Sequence, residues 1–274
     1  MKNVNNTEEF CVAAVQTVSS TDLGANLAQV EALIEQAVEK GAQLVVLPEY
    51  FCLMGHRDED KVALREQPGQ GPIQTFLRQL AQRHGIWLVG GTLPLASPDS
   101  DRIYNTTLVY DPQGEQVARY DKIHLFGFRR GQESYDESLT IRPGNTEPQS
   151  FEAPCGKVGL SICYDLRFPE LYRAFSETNL IIVPAAFTHT TGSAHWEVLL
   201  RARAIENQCY VLAAAQGGKH ENGRRTWGHS MLVDPWGEIL DCLPEGPGIA
   251  LGRMNQSRLA EVREALPALK HRTL

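Results

Sequence analysis

The chain has 274 residues, 42% of them hydrophobic, which is enough for one large core. A formal net charge of -7, with 22% charged residues, describes a mildly acidic surface and argues against a nucleic-acid or anionic-membrane partner. No run approaches the roughly 18 apolar residues of a membrane helix, and the polar start "MKNVNNTEEF" lacks the apolar stretch of a secretory leader. The cysteines Cys11, Cys52, Cys155, Cys163, Cys209 and Cys242 form no CxxC pair, which excludes a zinc knuckle or thioredoxin motif. Free thiols in a reduced, cytoplasmic protein are the expectation.

Strand-like runs alternate with helix-like segments, without repeat, linker or low-complexity tract. "FCVAAVQT" (Phe10–Thr17) reads as a strand of small and β-branched residues, followed by a helix in which Leu27, Val30, Leu33, Ile34, Ala37 and Val38 recur at helical spacing before Gly41. "LVVLPE" (Leu44–Glu49) is a short buried strand closed by proline, "GPIQTFLRQLAQRHG" a second amphipathic helix, and "IWLVGGTL" a strand. Tyr104–Ile123 reads as a hairpin around Pro112-Gln113-Gly114. The second half continues with a strand "KVGLSIC", a helix from about Pro169, a strand "LIIVPAAF", a helix "AHWEVLLRARAIENQ" and a strand "YVLAAAQ". A last hairpin, "HSMLVDPWGEILDCL", turns at Asp234-Pro235-Trp236-Gly237. Helices alternating with strands imply helix-covered sheets, and the hairpins add antiparallel pairing. The fold class is α/β, and its most economical architecture is two mixed sheets packed face to face with helices outside, a four-layer α-β-β-α sandwich. Continuous apolar strands such as "LIIVPAAF" suit sheets buried on both faces.

Three polar groups stand at the edge of this apolar frame. Cys163 ends the strand in "VGLSICYDLRFPEL", Glu49 follows "LVVLP", and Lys122 sits between apolar neighbours in "RYDKIHLF". Each alone has a plain structural reading: a packed thiol, a helix cap, a strand-end lysine. Together they suggest nucleophilic catalysis, because a thiol with a pKa of about 8.5 needs a base to become a thiolate. A carboxylate can take the proton, and an ammonium can favour the thiolate and hold a developing oxyanion. Such a site would attack an amide or nitrile carbon and pass through an acyl-thioester.

The segments "LVVLPEYF", "RYDKIHLF" and "VGLSICYDLRFPELYR" resemble, in order, the three signature segments of the nitrilase superfamily of carbon–nitrogen hydrolases. The likeness runs from about Phe10 to Pro267 and implies a single domain over residues 1–274 with the sandwich fold inferred above. It implies a catalytic triad of Glu49, Lys122 and Cys163, with the amide N–H of Tyr164 beside Lys122 on the oxyanion. It also implies a second glutamate, placed at Glu137 by "DESLTIRPGN", with Glu133 in "GQESYDES" as the alternative; its role would be to align Lys122 and the substrate amide. Subunits of the family commonly dimerise through an α surface, so a homodimer or higher homo-oligomer is expected. The mechanism calls for no cofactor and no metal; His189, His195 and Glu197 fit no usual ligand spacing.

"TTGSAHWEVLLRARAIENQCYVLAAAQGG" and "WGHSMLVDPWGEIL" resemble the amidase branch acting on small 2-oxo-acid amides. Within it the expected substrate is deaminated glutathione, split to 2-oxoglutarate and cysteinylglycine; 2-oxoglutaramate, an N-carbamoyl amino acid or an aliphatic amide is the alternative. Ser193 departs from the branch, which often has proline there, in what reads as a loop. Phe187 and Thr188, just past "LIIVPAA", are candidate substrate contacts, with core packing an equal reading for Phe187. The basic loop Lys219–Arg225 reads as a solvated loop, or as a site for a distal substrate carboxylate through Arg224 and Arg225. A catalytically idle binding protein would have no need of all three triad residues.

Overall fold

The computed structural model describes residues 9–131 and 133–273; the polar N-terminal segment lies, as far as residue 8, outside them. Alternate residues of a strand face opposite sides, and in β1 (Glu9–Gln16) both sides are buried: Val12 and Ala14 enter one core, Ala13 and Val15 another. The helix α1 (Leu23–Glu39) starts where the Asp22 carboxylate accepts from the Ala25 amide, and lays Val30, Leu33, Ile34 and Ala37 on the second core. Next come β2 (Leu44–Val46), parallel to β1, the single turn α2 (Asp60–Ala63), and α3 (Pro72–His84), which opens on proline and stops at left-handed Gly85. The strands β3 (Trp87–Val89), β4 (Leu93–Ala96), β5 (Ile103–Tyr110) and β6 (Gln116–Asp121) follow. The single strand expected over "IWLVGGTL" is broken in two at Gly90-Gly91. Gly91 has φ 51°, and a Cβ there would lie 2.2 Å from the Pro48 carbonyl oxygen, so only glycine lets the chain cross so close to the approach to Glu49.

A separate two-stranded ribbon, β7 (Gly127–Arg130) and β8 (Glu133–Asp136), precedes β9 (Ser150–Ala153) and β10 (Gly156–Leu160). Then come α4 (Pro169–Ala174), β11 (Leu180–Ala185), α5 (His189–Asn207), β12 (Tyr210–Ala215), β13 (Ser230–Val233), β14 (Ile239–Leu243), β15 (Gly248–Asn255) and α6 (Gln256–Ala265). One sheet runs β15-β1-β2-β3-β5-β4 with β6 on β5, the other β14-β13-β12-β11-β10-β9. Their inner faces meet in a core shared by Val12, Val46 and Val109 of the first sheet and Leu160, Ile182 and Leu212 of the second. Helices α1 and α3 cover the first sheet, and α5 covers the second through Trp196, Leu200 and Ala204. The α/β sandwich of four layers is therefore present.

Two readings need correction. The α5 helix begins at His189 rather than Ala194, because the Thr188 hydroxyl caps it by accepting from the Thr191 amide at 3.2 Å; Ser193 is thus helical and not in a loop. The strand β15, not anticipated, pairs antiparallel with β1 from Glu9 opposite Asn255 to Gln16 opposite Gly248. All six cysteines are unpaired, and among the described residues no helix is long and apolar enough to cross a membrane.

Candidate active site

The segments leaving β2, β6, β10 and β11 converge, as loops beyond strand ends do in layered α/β folds. Glu49 lies three residues past β2 and is 1% exposed. Its Oε1 accepts from Lys122 Nζ and Asn105 Nδ2, both at 2.9 Å, and its Oε2 from the Ala186 amide at 2.9 Å. The main-chain oxygen of Glu49 accepts from Gln216 Nε2 at 3.0 Å, and Tyr50 beside it has φ 56°. The carboxylate is thereby fixed from both sheets.

Lys122 directly follows β6, its amide bonded to Asn105 and its carbonyl accepting from the Gly144 amide at 2.9 Å. Its Nζ is enclosed and donates to Glu137 Oε1 and Oε2 at 2.9 and 2.8 Å as well as to Glu49. Glu137 further accepts from Tyr50 Oη at 2.8 Å and from the Phe126 amide at 2.7 Å. Glu133, the alternative carboxylate, instead accepts from Thr190 Oγ1 at 3.1 Å, so Glu137 is the one that meets the lysine.

Cys163 opens a 3-10 turn, Cys163–Arg167, with φ 49°, a left-handed conformation that costs about 1–2 kcal/mol for a residue bearing a Cβ. The buried Asp165 carboxylate holds this turn: it accepts from the Ile162 amide at 2.8 Å, from Tyr120 Oη at 2.7 Å, and pairs with His124 Nδ1 at 2.7 Å. Because Tyr120 and His124 flank Lys122, one carboxylate ties the lysine segment to the cysteine segment.

The charges follow from burial and contact. Burial, with Glu49 facing the thiol, pushes Cys163 well above the ordinary thiol range, so the resting residue is a thiol. Burial also raises Glu49 above 4.5, against the pull of Lys122. For Lys122, burial favours the neutral amine, but Glu137 and Glu49 outweigh it and hold the ammonium well above the usual range. Burial likewise opposes the ionised Glu137, and the Lys122 ammonium outweighs it, holding the carboxyl below 4.5.

Glu49, Glu137, Cys163 and Thr188 line a cleft of about 590 Å³, counting the space at its open mouth. Tyr164 and Phe187 lie instead around a side pocket of about 210 Å³ that also touches Cys163 and Thr188. The Tyr164 ring stands edge-on to Phe126 and Phe168, and Phe187 packs 4.8 Å from Trp196. Arg224 and Arg225 both reach the cleft; Arg224 pairs with Asp58 Oδ1 at 2.8 Å and Arg225 with Glu245 Oε1 at 3.3 Å. Asn105, Asp165, Gln216 and Tyr50 are part of the site and were not anticipated. "YDLR" signals a polar turn around Asp165, but no spacing rule pairs it with Tyr120 and His124.

Known proteins carry the same arrangement of chain. The carbon-nitrogen hydrolase family profile matches residues 11–264. The chain is 43% identical to the deaminated glutathione amidase of Synechocystis sp. (strain PCC 6803 / GT-S), over 96% of this chain and 98% of that one. It is also 43% identical to the deaminated glutathione amidase of Yersinia enterocolitica, over 99% and 93%. Among solved structures, Saccharomyces cerevisiae Nit3, a member of branch 10 of the nitrilase superfamily, superposes with a TM-score of 0.85 at 33% identity, covering 94% of each chain. An amidase from Nesterenkonia sp. AN1 with acrylamide added at its active-site cysteine superposes with a TM-score of 0.76 at 28% identity, over 94% of this chain and 98% of that one. Sequence and fold agree along nearly the whole length, and the protein belongs to the carbon-nitrogen hydrolase family as an amidase acting on C–N bonds.

Proposed function

We propose that the protein hydrolyses deaminated glutathione to 2-oxoglutarate and cysteinylglycine, with Cys163 as nucleophile. The observation carrying the substrate is the 43% identity to deaminated glutathione amidases over nearly the full length of both chains. The roles follow from the geometry above. With the scissile amide seated, Glu49 takes the thiol proton as Sγ attacks the carbonyl carbon, which offsets the high pKa that burial imposes on Cys163. The carbonyl oxygen becomes an oxyanion beside the Lys122 ammonium and the Tyr164 amide; one such donor contributes about 2.7–4 kcal/mol to the transition state. The C–N bond breaks as Glu49 returns the proton to the leaving amine, and a thioester remains on Cys163. Water then attacks the thioester, giving its proton to Glu49; the C–S bond breaks and the thiol is restored. Glu137 holds Lys122 charged and in place throughout, through its two contacts at 2.8 and 2.9 Å.

The same reading includes a cytoplasmic location and a homodimer. The dimer is supported by exposed Val198 and Ile205 on α5, with Trp236 and Leu240 beside them on the β13–β14 hairpin. The test is kcat/KM measured side by side for deaminated glutathione, 2-oxoglutaramate and a simple nitrile. A preference for the first of about a hundredfold, some 2.7 kcal/mol of transition-state discrimination, is the expected result. A preference for 2-oxoglutaramate would overturn the substrate and leave the mechanism.

A further inference from the structure

The wall of the cleft away from the triad carries charge that the mechanism does not use. Lys61 in α2 lies along it with its side chain only 13% exposed, its ammonium 5.3 Å from the centre of the Tyr50 ring. Its ion pair with Asp58 Oδ1 is 3.6 Å long, outside hydrogen-bond distance, and among the described residues no hydrogen bond from its Nζ is formed. Asp58 Oδ1 is already taken by Arg224 at 2.8 Å, and Arg224 is itself stacked over Tyr135 at 5.6 Å. Two cations therefore share one carboxylate, leaving a surplus positive charge and an ammonium with its donors unspent, on the inner wall of a substrate cleft.

The shape adds a direction. A second pocket of about 270 Å³ shares Tyr50, Met54, Asp58, Lys61 and Arg224 with the cleft and continues past them, lined further by Leu53 and Arg57. The space beyond the scissile bond thus passes across the cation pair. Arg225, suggested by the sequence alongside Arg224, is half exposed and engaged by Glu245.

We propose that Lys61 and Arg224, set by Asp58 between them, form the subsite for a carboxylate at the far end of the leaving group, which in deaminated glutathione is that of the terminal glycine. This assignment rests on the substrate reading given above. Lys61 supplies the unspent charge-assisted donors, Arg224 a guanidinium already oriented by Asp58 and Tyr135, and Tyr50 links the subsite to Glu137 through its hydroxyl. Burial holds Lys61 below the ordinary lysine range, so an anion beside it would be held more tightly than at an exposed lysine.

The experiment is kcat and KM of the full-length protein, its Lys61→Gln and Lys61→Arg variants, on three substrates. These are deaminated glutathione, the same compound with its glycine carboxylate converted to carboxamide, and 2-oxoglutaramate, which lacks that end of the molecule. The unmodified enzyme should favour the free acid over the carboxamide, and Lys61→Gln should raise KM for the free acid about ten- to thirtyfold, as loss of a charged hydrogen bond does. The other two substrates should keep their constants in that variant, kcat should hold on all three, and Lys61→Arg should retain part of the preference. Equal losses on all three substrates, or no preference for the free acid in the unmodified enzyme, would overturn the subsite alone. No turnover of deaminated glutathione by the unmodified enzyme would overturn the substrate reading and the subsite with it.

Discussion

Cys163 holds two liabilities at one position: a left-handed backbone and a thiol whose ionisation is opposed by burial and by Glu49. The backbone term is separable by substitution. Cys163→Ala and Cys163→Gly should both lose turnover, while the glycine variant, free of the Cβ clash, should be more stable than the alanine variant by about 1 kcal/mol in denaturant unfolding. Equal stabilities would mean that the turn carries no strain, and turnover by Cys163→Ala would remove the thiol from the mechanism. The proton acceptor gives a second measurement. Glu49 must be ionised to act, and its folded value is raised above 4.5 by burial, so activity is lost as pH falls through that raised value rather than at the ordinary one. The acid limb of kcat/KM should therefore lie above pH 4.5; a limb at or below it would assign the base elsewhere.

At the scale of elements, the triad depends on segments that the sequence marks only in part. Buried strands ending in Glu49 and Cys163 were legible because apolar runs stop abruptly at a polar residue, and Lys122 stood out among apolar neighbours. What joins them was not legible: Asp165, Asn105 and Gln216 act through contacts between residues far apart in the chain, which carry no periodicity. The same applies to β15, where "GIALGRMN" mixes glycines with a charged residue because it is an edge strand, and to α6, where only Leu259 and Val262 are buried. Asp165 offers a test of this connecting layer. Its oxygens receive only donors, so Asp165→Asn would turn an amide N–H toward some of them. The variant should fold, with kcat lowered about a hundredfold and KM changed less than threefold, because the lysine and cysteine segments lose their mutual alignment. A matched loss in KM, or unchanged kcat, would reduce Asp165 to a residue of local stability.

At the scale of the whole molecule, neither sheet holds the site alone. Glu49 and Lys122 leave the first sheet, Cys163 and Ala186 the second, and Gln216 crosses between them, bonding Ser19, Thr17 and the Glu49 main chain. A cleft made where two sheets meet can be tuned on its outer wall, at Lys61 and Arg224, while the inner wall stays fixed by buried hydrogen bonds. The pairing of β1 with β15 has a consequence for how the protein is made. The first strand to leave the ribosome is held between β2 and a strand translated almost last, so the first sheet stays open on one side until residues 248–255 have emerged. Synthesis therefore runs nearly to its end with an unpaired, wholly apolar strand to be shielded, a burden that falls on chaperones. The enzyme's own nucleophile is set against its base only once that last strand has closed the sheet.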